Sequence, residues 1–201
     1  MLKKITYRII APIYDIIISR LNQERRRALG FLHFSPGEQL LIAGVGTGAD
    51  LPFLPNNISI EGIDASPAML GKAAQKKEAL GMEQVRLRQG NAEALPYPDA
   101  SFDKVILNLI VSVVDNPAML LSEAVRVLRP GGEILVFDKF LPKGRRPGIL
   151  RRSANIIVKH LGTDINRVFE DIIEGRPLRI IKEAPSWGRE FFRIYLLEKT
   201  V

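Results

Sequence analysis

The sequence predicts an α/β protein built on a doubly wound sheet of seven strands, with a C-terminal antiparallel hairpin and an N-terminal amphipathic helical segment. Three observations carry that expectation. Short runs at 40–43, 58–63, 85–89, 104–109 and 134–137, either apolar or alternating apolar and polar, are interleaved with segments of helical period, as parallel strands joined by crossover helices are. The run Leu40-Leu41-Ile42-Ala43 leads straight into Gly44-Val45-Gly46-Thr47-Gly48-Ala49, a buried strand entering a glycine-rich turn. The last two runs, 178–183 and 191–198, are joined only by Ala184-Pro185-Ser186-Trp187-Gly188, a connection short enough to favour an antiparallel hairpin.

The glycine turn points to a nucleotide site. Glycine tolerates positive φ and has no Cβ to hold a ligand off the backbone. At the carboxyl end of a first parallel strand, such a turn is of the Rossmann type. Gly44 to Ala49 fits both G-x-G-x-x-A of dinucleotide sites and G-x-G-x-G of S-adenosylmethionine (SAM) sites, and the loop by itself leaves both open.

Composition narrows the classes. At 201 residues, with 46% apolar and 25% charged residues, the chain fits a single globular domain. The absence of cysteine excludes disulfides, thiolate metal sites and a cysteine nucleophile. His33 and His160 are the only histidines, too few for a histidine-rich metal centre, so no metal is expected. No cleavable leader and no long apolar span is visible, so a cytoplasmic protein is expected. The net charge is +7, and it is unevenly spread. Residues 1–29 hold seven Lys/Arg against two acids, residues 139–160 hold seven against none, and residues 30–138 hold eight against thirteen. Basic ends around an acidic middle suggest an anionic partner, whether a membrane surface, a nucleic acid or an acidic substrate, or else a solvated face.

Taken in order, residues 2–21 place Ile5, Ile9, Ile13, Ile16, Ile17 and Leu21 at helical spacing, interleaved with Lys3, Lys4, Arg8 and Arg20. Pro12 kinks or breaks this helix near Ala11. A segment of this kind lies in a membrane interface, or packs over the core, or does both. Residues 22–32 continue as a charged helix, and Ser35-Pro36-Gly37 turns into the first strand. After the glycine loop, Leu51-Pro52-Phe53-Leu54-Pro55 is too proline-rich for a long helix. The second strand, 58–63, ends at Asp64, eighteen positions after Gly46 and near the spacing at which an acid accepts from ribose hydroxyls. Ser66 caps the next helix and Pro67 suits its first position; Gly81 stops it. Residues 85–89 form the third strand, and 104–109 the fourth, nearly all apolar and therefore central. Asn108 stands at the end of that strand, where ligands bind in such sheets. A helix at 117–128 and a Pro130-Gly131-Gly132 turn precede the fifth strand, 134–137. A basic loop from Lys139 leads into expected helices at 151–161 and 164–174, and the hairpin closes the chain. The layout is one domain over 1–201: an N-terminal helical cap or membrane-contact segment (1–34), a cofactor-binding core (38–138), a basic variable insert (139–176) and the hairpin (177–201).

With these motifs in hand, residues 38–138 resemble the class I SAM-dependent methyltransferases. The glycine loop is followed, in that family's order, by Gly62-Ile63-Asp64-Ala65-Ser66-Pro67-Ala68-Met69-Leu70, Asn91-Ala92-Glu93-Ala94-Leu95-Pro96, Ser101-Phe102-Asp103 and Arg126-Val127-Leu128-Arg129-Pro130-Gly131-Gly132. The ordered set settles the loop in favour of SAM. The resemblance implies a Rossmann-like sheet, with SAM as methyl donor and S-adenosylhomocysteine as product. It assigns Gly44, Gly46 and Gly48 to the cofactor's methionine part, Asp64 to the ribose, and Met69 and Asn91 to the adenine, with Val45, Ala65 and Ala92 as further cofactor-binding residues. Asn91 stands where the family usually has Asp. Asn108 and Leu109 would line the site beside the sulfonium. The run Ile110-Val111-Ser112-Val113-Val114 lacks the histidine the family often carries there, so a histidine base at that place is excluded.

The ends bear on the acceptor. Arg8-Ile9-Ile10-Ala11-Pro12-Ile13-Tyr14-Asp15 is similar to the start of bacterial phosphatidylethanolamine N-methyltransferases, and quinone-biosynthesis methyltransferases also place a Tyr-Asp pair in their first helix. This resemblance implies that Tyr14 folds over the cofactor and shapes the acceptor pocket, as a cofactor-binding and candidate catalytic residue; its alternative is ordinary helix packing. Asn166 and Arg167 are candidate head-group contacts, with a helix cap at Thr163 or Asp164 as the plainer reading of that cluster. Arg145, Arg146, Arg151 and Arg152 would attract an anionic bilayer. The expected function is SAM-dependent N-methylation of phosphatidylethanolamine, toward phosphatidylcholine, by a protein peripherally associated with the inner face of the membrane. The alternative acceptor is another apolar small molecule such as a quinone precursor. A nucleic-acid partner is not expected, because no aromatic ladder interleaves the basic runs.

Overall fold

The structure, a computed structural model, describes residues 21–145, 147–148, 151–153, 155, 163–186 and 191–200. Tyr14 and the rest of segment 1–20, Arg146, most of the helix expected over 151–161, and Trp187-Gly188 of the hairpin connection lie outside the described residues.

The first described element is α1 (Asn22–Leu29), shorter than the 22–32 helix expected. β1 (Gln39–Ala43) runs into the glycine loop and a short 3-10 turn, Leu51–Phe53, with Pro52 inside it. β2 (Ser59–Asp64), α2 (Pro67–Ala79), β3 (Val85–Gln89) and β4 (Phe102–Asn108) follow. Then come α3 (Pro117–Val127), β5 (Leu128–Lys139), α4 (Phe169–Ile173), β6 (Leu178–Pro185) and β7 (Phe192–Lys199). The seven strands form one sheet in the order β3-β2-β1-β4-β5-β7-β6. The first five are parallel; β7 is antiparallel to both β5 and β6.

The two-residue period of the strands divides the core into two layers. Leu40, Ile42, Ile106, Leu135, Phe137, Ile194 and Leu196 face one side, where Leu21, Ala28, Leu29 and Leu32 close over them. Leu41, Ala43, Val105, Leu107, Ile134, Val136, Tyr195 and Leu197 face the other, covered by α3 and by Phe140 and Phe169. Local chemistry starts the helices as the sequence implied. Ser66 Oγ accepts from the Met69 N–H at 3.4 Å and Pro67 takes the first position of α2. Asn116 Oδ1 caps α3 through the Met119 N–H at 3.1 Å.

Two further elements differ from expectation. α4 covers only Phe169–Ile173, not 164–174. The amides ahead of it are diverted: Asp164 N–H donates to the Ser112 carbonyl (2.7 Å), Ile165 N–H to Asn155 Oδ1 (2.8 Å) and Asn166 N–H to Asp164 Oδ1 (3.0 Å). Those first-turn amides would have no intrahelical partner in any case; what a longer helix lacks is its acceptors, because Arg151 donates to the Ile165 carbonyl and the Leu141 N–H to the Arg167 carbonyl at 2.8 Å. β5, expected at 134–137, begins at Leu128. Phe102 pairs with Leu128 and Lys104 with Glu133, so the Arg129-Pro130-Gly131-Gly132 turn survives as a bulge inside one strand.

Candidate active site

The strand order reverses between β1, which leads outward to β2 and β3, and β4, which leads the other way. In an open α/β sheet this point leaves a crevice beyond the carboxyl ends of the strands. A cavity of about 360 Å³ lies there, walled by residues following each of β1 to β4: Gly44 and Gly46; Asp64, Ala65 and Ser66; Gly90, Asn91, Ala92 and Glu93; and Asn108 to Ile110. Met69 of α2 and Val113, Val114 and Asp115 complete it.

The three loop glycines have separate roles. A Cβ on Gly44 would stand 2.5 Å from Ile110 Cδ1, so this glycine lets the β4 loop lie directly on the turn. Gly46 has φ +56, and its nearest protein neighbour to a Cβ is the Gly44 carbonyl at 3.9 Å; the space beside it is open to the cavity. Gly48, at φ +70, would clash with Leu51 at 2.9 Å and Ala73 at 3.3 Å, so it serves close packing of the loop on α2. Gly48 and Val45 are buried and do not line the cavity; Val45 belongs to the core beneath it.

Asp64 ties the loop together. Its Oδ2 accepts from the Gly46 N–H at 2.8 Å and its Oδ1 from the Ser66 N–H at 2.9 Å. Burial pushes its carboxyl above the usual 3.8, against the lowering by the N–H groups of Ser66, Gly46 and Ala65. Each oxygen keeps lone-pair capacity toward the cavity. Asn91 Oδ1 accepts from the Glu93 N–H at 3.0 Å, which folds the loop after β3. Arg126 holds the far side of that loop, donating to the carbonyls of Leu95 (3.0 Å) and Tyr97 (2.8 Å), while Glu123 accepts from the Leu95 N–H at 2.7 Å. Two motifs distant in sequence therefore form one wall.

Across the cavity, Leu109 has φ +60, unusual for a residue with a Cβ and worth about 1–3 kcal/mol of strain. Its N–H bonds the Phe137 carbonyl at 2.7 Å. The loop beyond is pinned from two directions. Asp138, fully buried at the end of β5, accepts from the Ser112 N–H and hydroxyl, both at 2.7 Å. Arg167 donates to the carbonyls of Val111 and Val114. Burial lowers the half-buried Arg167 guanidinium's pKa, against Asp164, Asp138, Asp115 and Glu93, which raise it. Asn166 Oδ1 accepts from Arg151 Nε at 3.3 Å. Neither Asn166 nor Arg167 lines the cavity; both act on the shell around it.

These residues fit SAM. Gly46 leaves room for a ligand against the backbone, Asp64 has free acceptor capacity for ribose hydroxyls, and Met69 supplies an apolar, 2%-exposed wall. Asn108 Oδ1 is buried without a hydrogen-bond partner, an acceptor lacking a donor. Ser66, Gly90, Glu93, Ile110, Val113, Val114 and Asp115 line the cavity without having been marked as site residues by the sequence. Ser66 and Glu93 were visible inside quoted motifs; for Asp115 no sequence signal exists.

The comparisons with known proteins agree with this geometry. A family model described as "Methyltransferase domain" matches residues 41–136. The fold matches a geranyl diphosphate C-methyltransferase from Streptomyces coelicolor A3(2), solved with S-adenosyl-L-homocysteine bound, at a TM-score of 0.75 and 17% identity, over 90% of this chain and 76% of that one. A phosphatidylethanolamine N-methyltransferase of Cereibacter sphaeroides is 35% identical over 178 residues, 86% of each chain. The chain belongs to the class I SAM-dependent methyltransferases. It is an enzyme of that kind, with SAM as its cofactor. A demethylmenaquinone methyltransferase of Bacillus cytotoxicus is also similar, 32% identical over 142 residues, 66% of this chain and 60% of that protein.

Proposed function

We propose that the protein N-methylates phosphatidylethanolamine at a membrane surface. The observation that carries this reading is the extent of the similarity to the Cereibacter sphaeroides enzyme, 86% of both chains. That span reaches well beyond the 41–136 core shared by methyltransferases of many acceptors, into the ends that shape an acceptor site. The demethylmenaquinone relative aligns over only 66% of this chain, which keeps a quinone precursor as the second reading.

SAM supplies a methyl group already activated by its sulfonium, so the protein's task is alignment and exclusion of water. Gly46, Asp64, Met69, Asn91 and Asn108 would hold the cofactor; Leu109, Ile110, Val113 and Val114 would exclude water beside the reacting atoms. The titratable side chains lining the cavity are all carboxylates, Asp64, Glu93 and Asp115, among the described residues. A cation-favouring lining in a chain of net charge +7 suits an amine acceptor better than a phenolate. The acceptor's ammonium must lose a proton before it can attack, and Tyr14, Asp15, the lining carboxylates or solvent would take it. Tyr14 would also offer an aromatic face to the cationic centre, and Asn166 and Arg167 would sit near the head group. Outside the cavity, the basic segments 1–29 and 139–160 would meet the anionic bilayer at its inner face. Among the described residues no helix is long and apolar enough to cross a membrane.

The test uses purified protein, labelled SAM, and mixed vesicles of phosphatidylethanolamine and phosphatidylglycerol, with the extracted lipid examined by mass spectrometry. Head groups carrying one to three added methyls are expected. Unmodified lipid, with methylation of a demethylated quinone instead, moves the acceptor to the second reading.

A further inference from the structure

Three elements far apart in the chain meet at one carboxylate oxygen behind the cavity. Arg25 of α1 donates from a terminal guanidinium nitrogen to Asp50 Oδ1 at 2.7 Å, and Asn108 Nδ2 donates to the same oxygen at 2.9 Å. All three side chains are buried, at 4%, 3% and 5% exposure. Asp50 lies just past the glycine loop and Asn108 at the carboxyl end of β4, on the cavity wall. We propose that Asp50, held by Arg25, is a positioning residue that fixes the Asn108 amide so that its carbonyl oxygen receives a donor of the bound cofactor.

The chemistry of the amide carries the argument. One face of an Asn side chain donates and the other accepts. A carboxylate only accepts, so Asp50 compels the NH₂ face toward itself, and the Asn108 oxygen must point the other way. That oxygen is buried and has no partner within the protein. A buried acceptor without a donor costs free energy, and such atoms call for a missing ligand or water. Of the five unpartnered buried side-chain polar atoms among the described residues, Asn108 Oδ1, Arg25 Nε and Thr47 Oγ1 belong to this trio or to the glycine loop beside it, while Glu170 Oε2 and Arg176 Nε lie elsewhere. On the assignments the family resemblance implies, the ribose hydroxyls of SAM have Asp64 and the adenine amino group has Asn91. The ammonium of the methionine part is left for the glycine loop after β1, and Asn108 ends β4, the strand paired with β1, on the wall of the same cavity. Asp50 needs Arg25 in turn, because a carboxylate buried on one amide alone would be under-satisfied. The pair also ties α1 to the cofactor loop. The proposal concerns the cofactor and does not depend on the acceptor.

The test measures S-adenosylhomocysteine binding by calorimetry, with no acceptor present, on variants shown to be folded by circular dichroism. Asp50→Ala removes the shared acceptor, frees the Asn108 amide to rotate and is expected to weaken binding roughly tenfold. Asn108→Ala is expected to do the same. The discriminating measurement is the double variant: if Asp50 acts through Asn108, adding Asp50→Ala to Asn108→Ala weakens binding no further. A pair that merely staples α1 to the core would lower the melting temperature and leave affinity within about twofold, which overturns the proposal. Additive losses in the double variant overturn it as well. If Asp50→Ala does not fold, Asp50→Glu, which keeps the charge facing Arg25 but moves the shared oxygen by one methylene, carries the same test alone and combined with Asn108→Ala.

Discussion

Replacing Asp138 by asparagine changes one oxygen to an NH₂ group at a site where every neighbour donates. Asp138 is fully buried. Its Oδ1 accepts from the Ser112 hydroxyl and from the Lys139 N–H, both at 2.7 Å, and its Oδ2 accepts from the Ser112 N–H at 2.7 Å. With the amide nitrogen on the Oδ2 side, it confronts the Ser112 N–H, donor against donor. With the nitrogen on the Oδ1 side, the serine hydroxyl can turn to accept, but the Lys139 N–H is then orphaned. Either orientation strands one buried backbone donor, at about 1–3 kcal/mol. The remaining bonds lose their charge assistance, while the neutral amide is cheaper to bury than the carboxylate. The net expectation is a loss of about 2 kcal/mol, or about 4–8 °C in melting temperature for a chain of this size. Because Ser112 anchors the loop that carries Val113 and Val114 into the cavity, S-adenosylhomocysteine affinity should fall as well. Thermal unfolding with and without that ligand measures both quantities. A melting temperature within about 1 °C of the parent would refute the reasoning, because it would mean that the strands and the Arg167 bonds hold this loop without the carboxylate.

Two further outcomes follow from the loop opposite. Burial raises the folded-state pKa of Asp64, so its contribution to stability is complete below the unfolded value and is lost as pH rises from 3.8 through the folded value. Ribose hydroxyls favour the ionised form, so S-adenosylhomocysteine affinity should rise with pH through that same window, with release of a proton. The gap in melting temperature between liganded and free protein should therefore widen as pH rises from 3.8 through the raised folded value; a narrowing gap would detach Asp64 from the ligand. Gly46→Ala and Gly81→Ala form a matched pair, since both glycines have positive φ, +56 and +62, and neither Cβ would meet a protein atom closer than 3.9 Å. Both should cost about 1–2 kcal/mol in urea unfolding. Only Gly46→Ala, whose methyl enters the cavity, should weaken ligand binding by about tenfold or more, and equal affinities for the two variants would contradict the site.

Much of the fold was legible in the residue order because its signals are local. Ser66 and Pro67 specify the start of α2 through one hydroxyl bond and a fixed φ. The alternation Leu40, Ile42 against Leu41, Ala43 assigns residues to the two layers, since a strand turns successive side chains to opposite faces. The errors came where a side chain overrode the backbone's own preference. The apolar spacing of Ile165, Val168, Phe169, Ile172 and Ile173 reads as one helix. Arg151 and the Leu141 N–H nevertheless take the Ile165 and Arg167 carbonyls that its first turns would have used as acceptors, and periodicity carries no information about such captures.

The candidate site divides in the same way. Gly44, Gly46, Asp64, Ala65, Met69, Asn91, Ala92, Asn108 and Leu109 all line the cavity; all but Met69, in the first turn of α2, sit at or just past the carboxyl end of a strand that a linear pattern locates. Tyr14 lies outside the described residues, and its role remains part of the proposed function. Val45 and Gly48 turn inward, and Asn166 and Arg167 brace the surrounding loops. By itself, then, the sequence determined the order of strands and helices, the glycine turn and the acid that answers it. Those depend on neighbours in the chain and on a period of two or 3.6 residues. Only the tertiary structure decided which polar groups meet: Arg25 and Asn108 on Asp50, Ser112 on Asp138, Arg167 on the loop carbonyls. Each of those contacts joins residues that the crossovers of the sheet bring together, and a hydrogen bond depends on distance and direction in space, which the order of residues does not record.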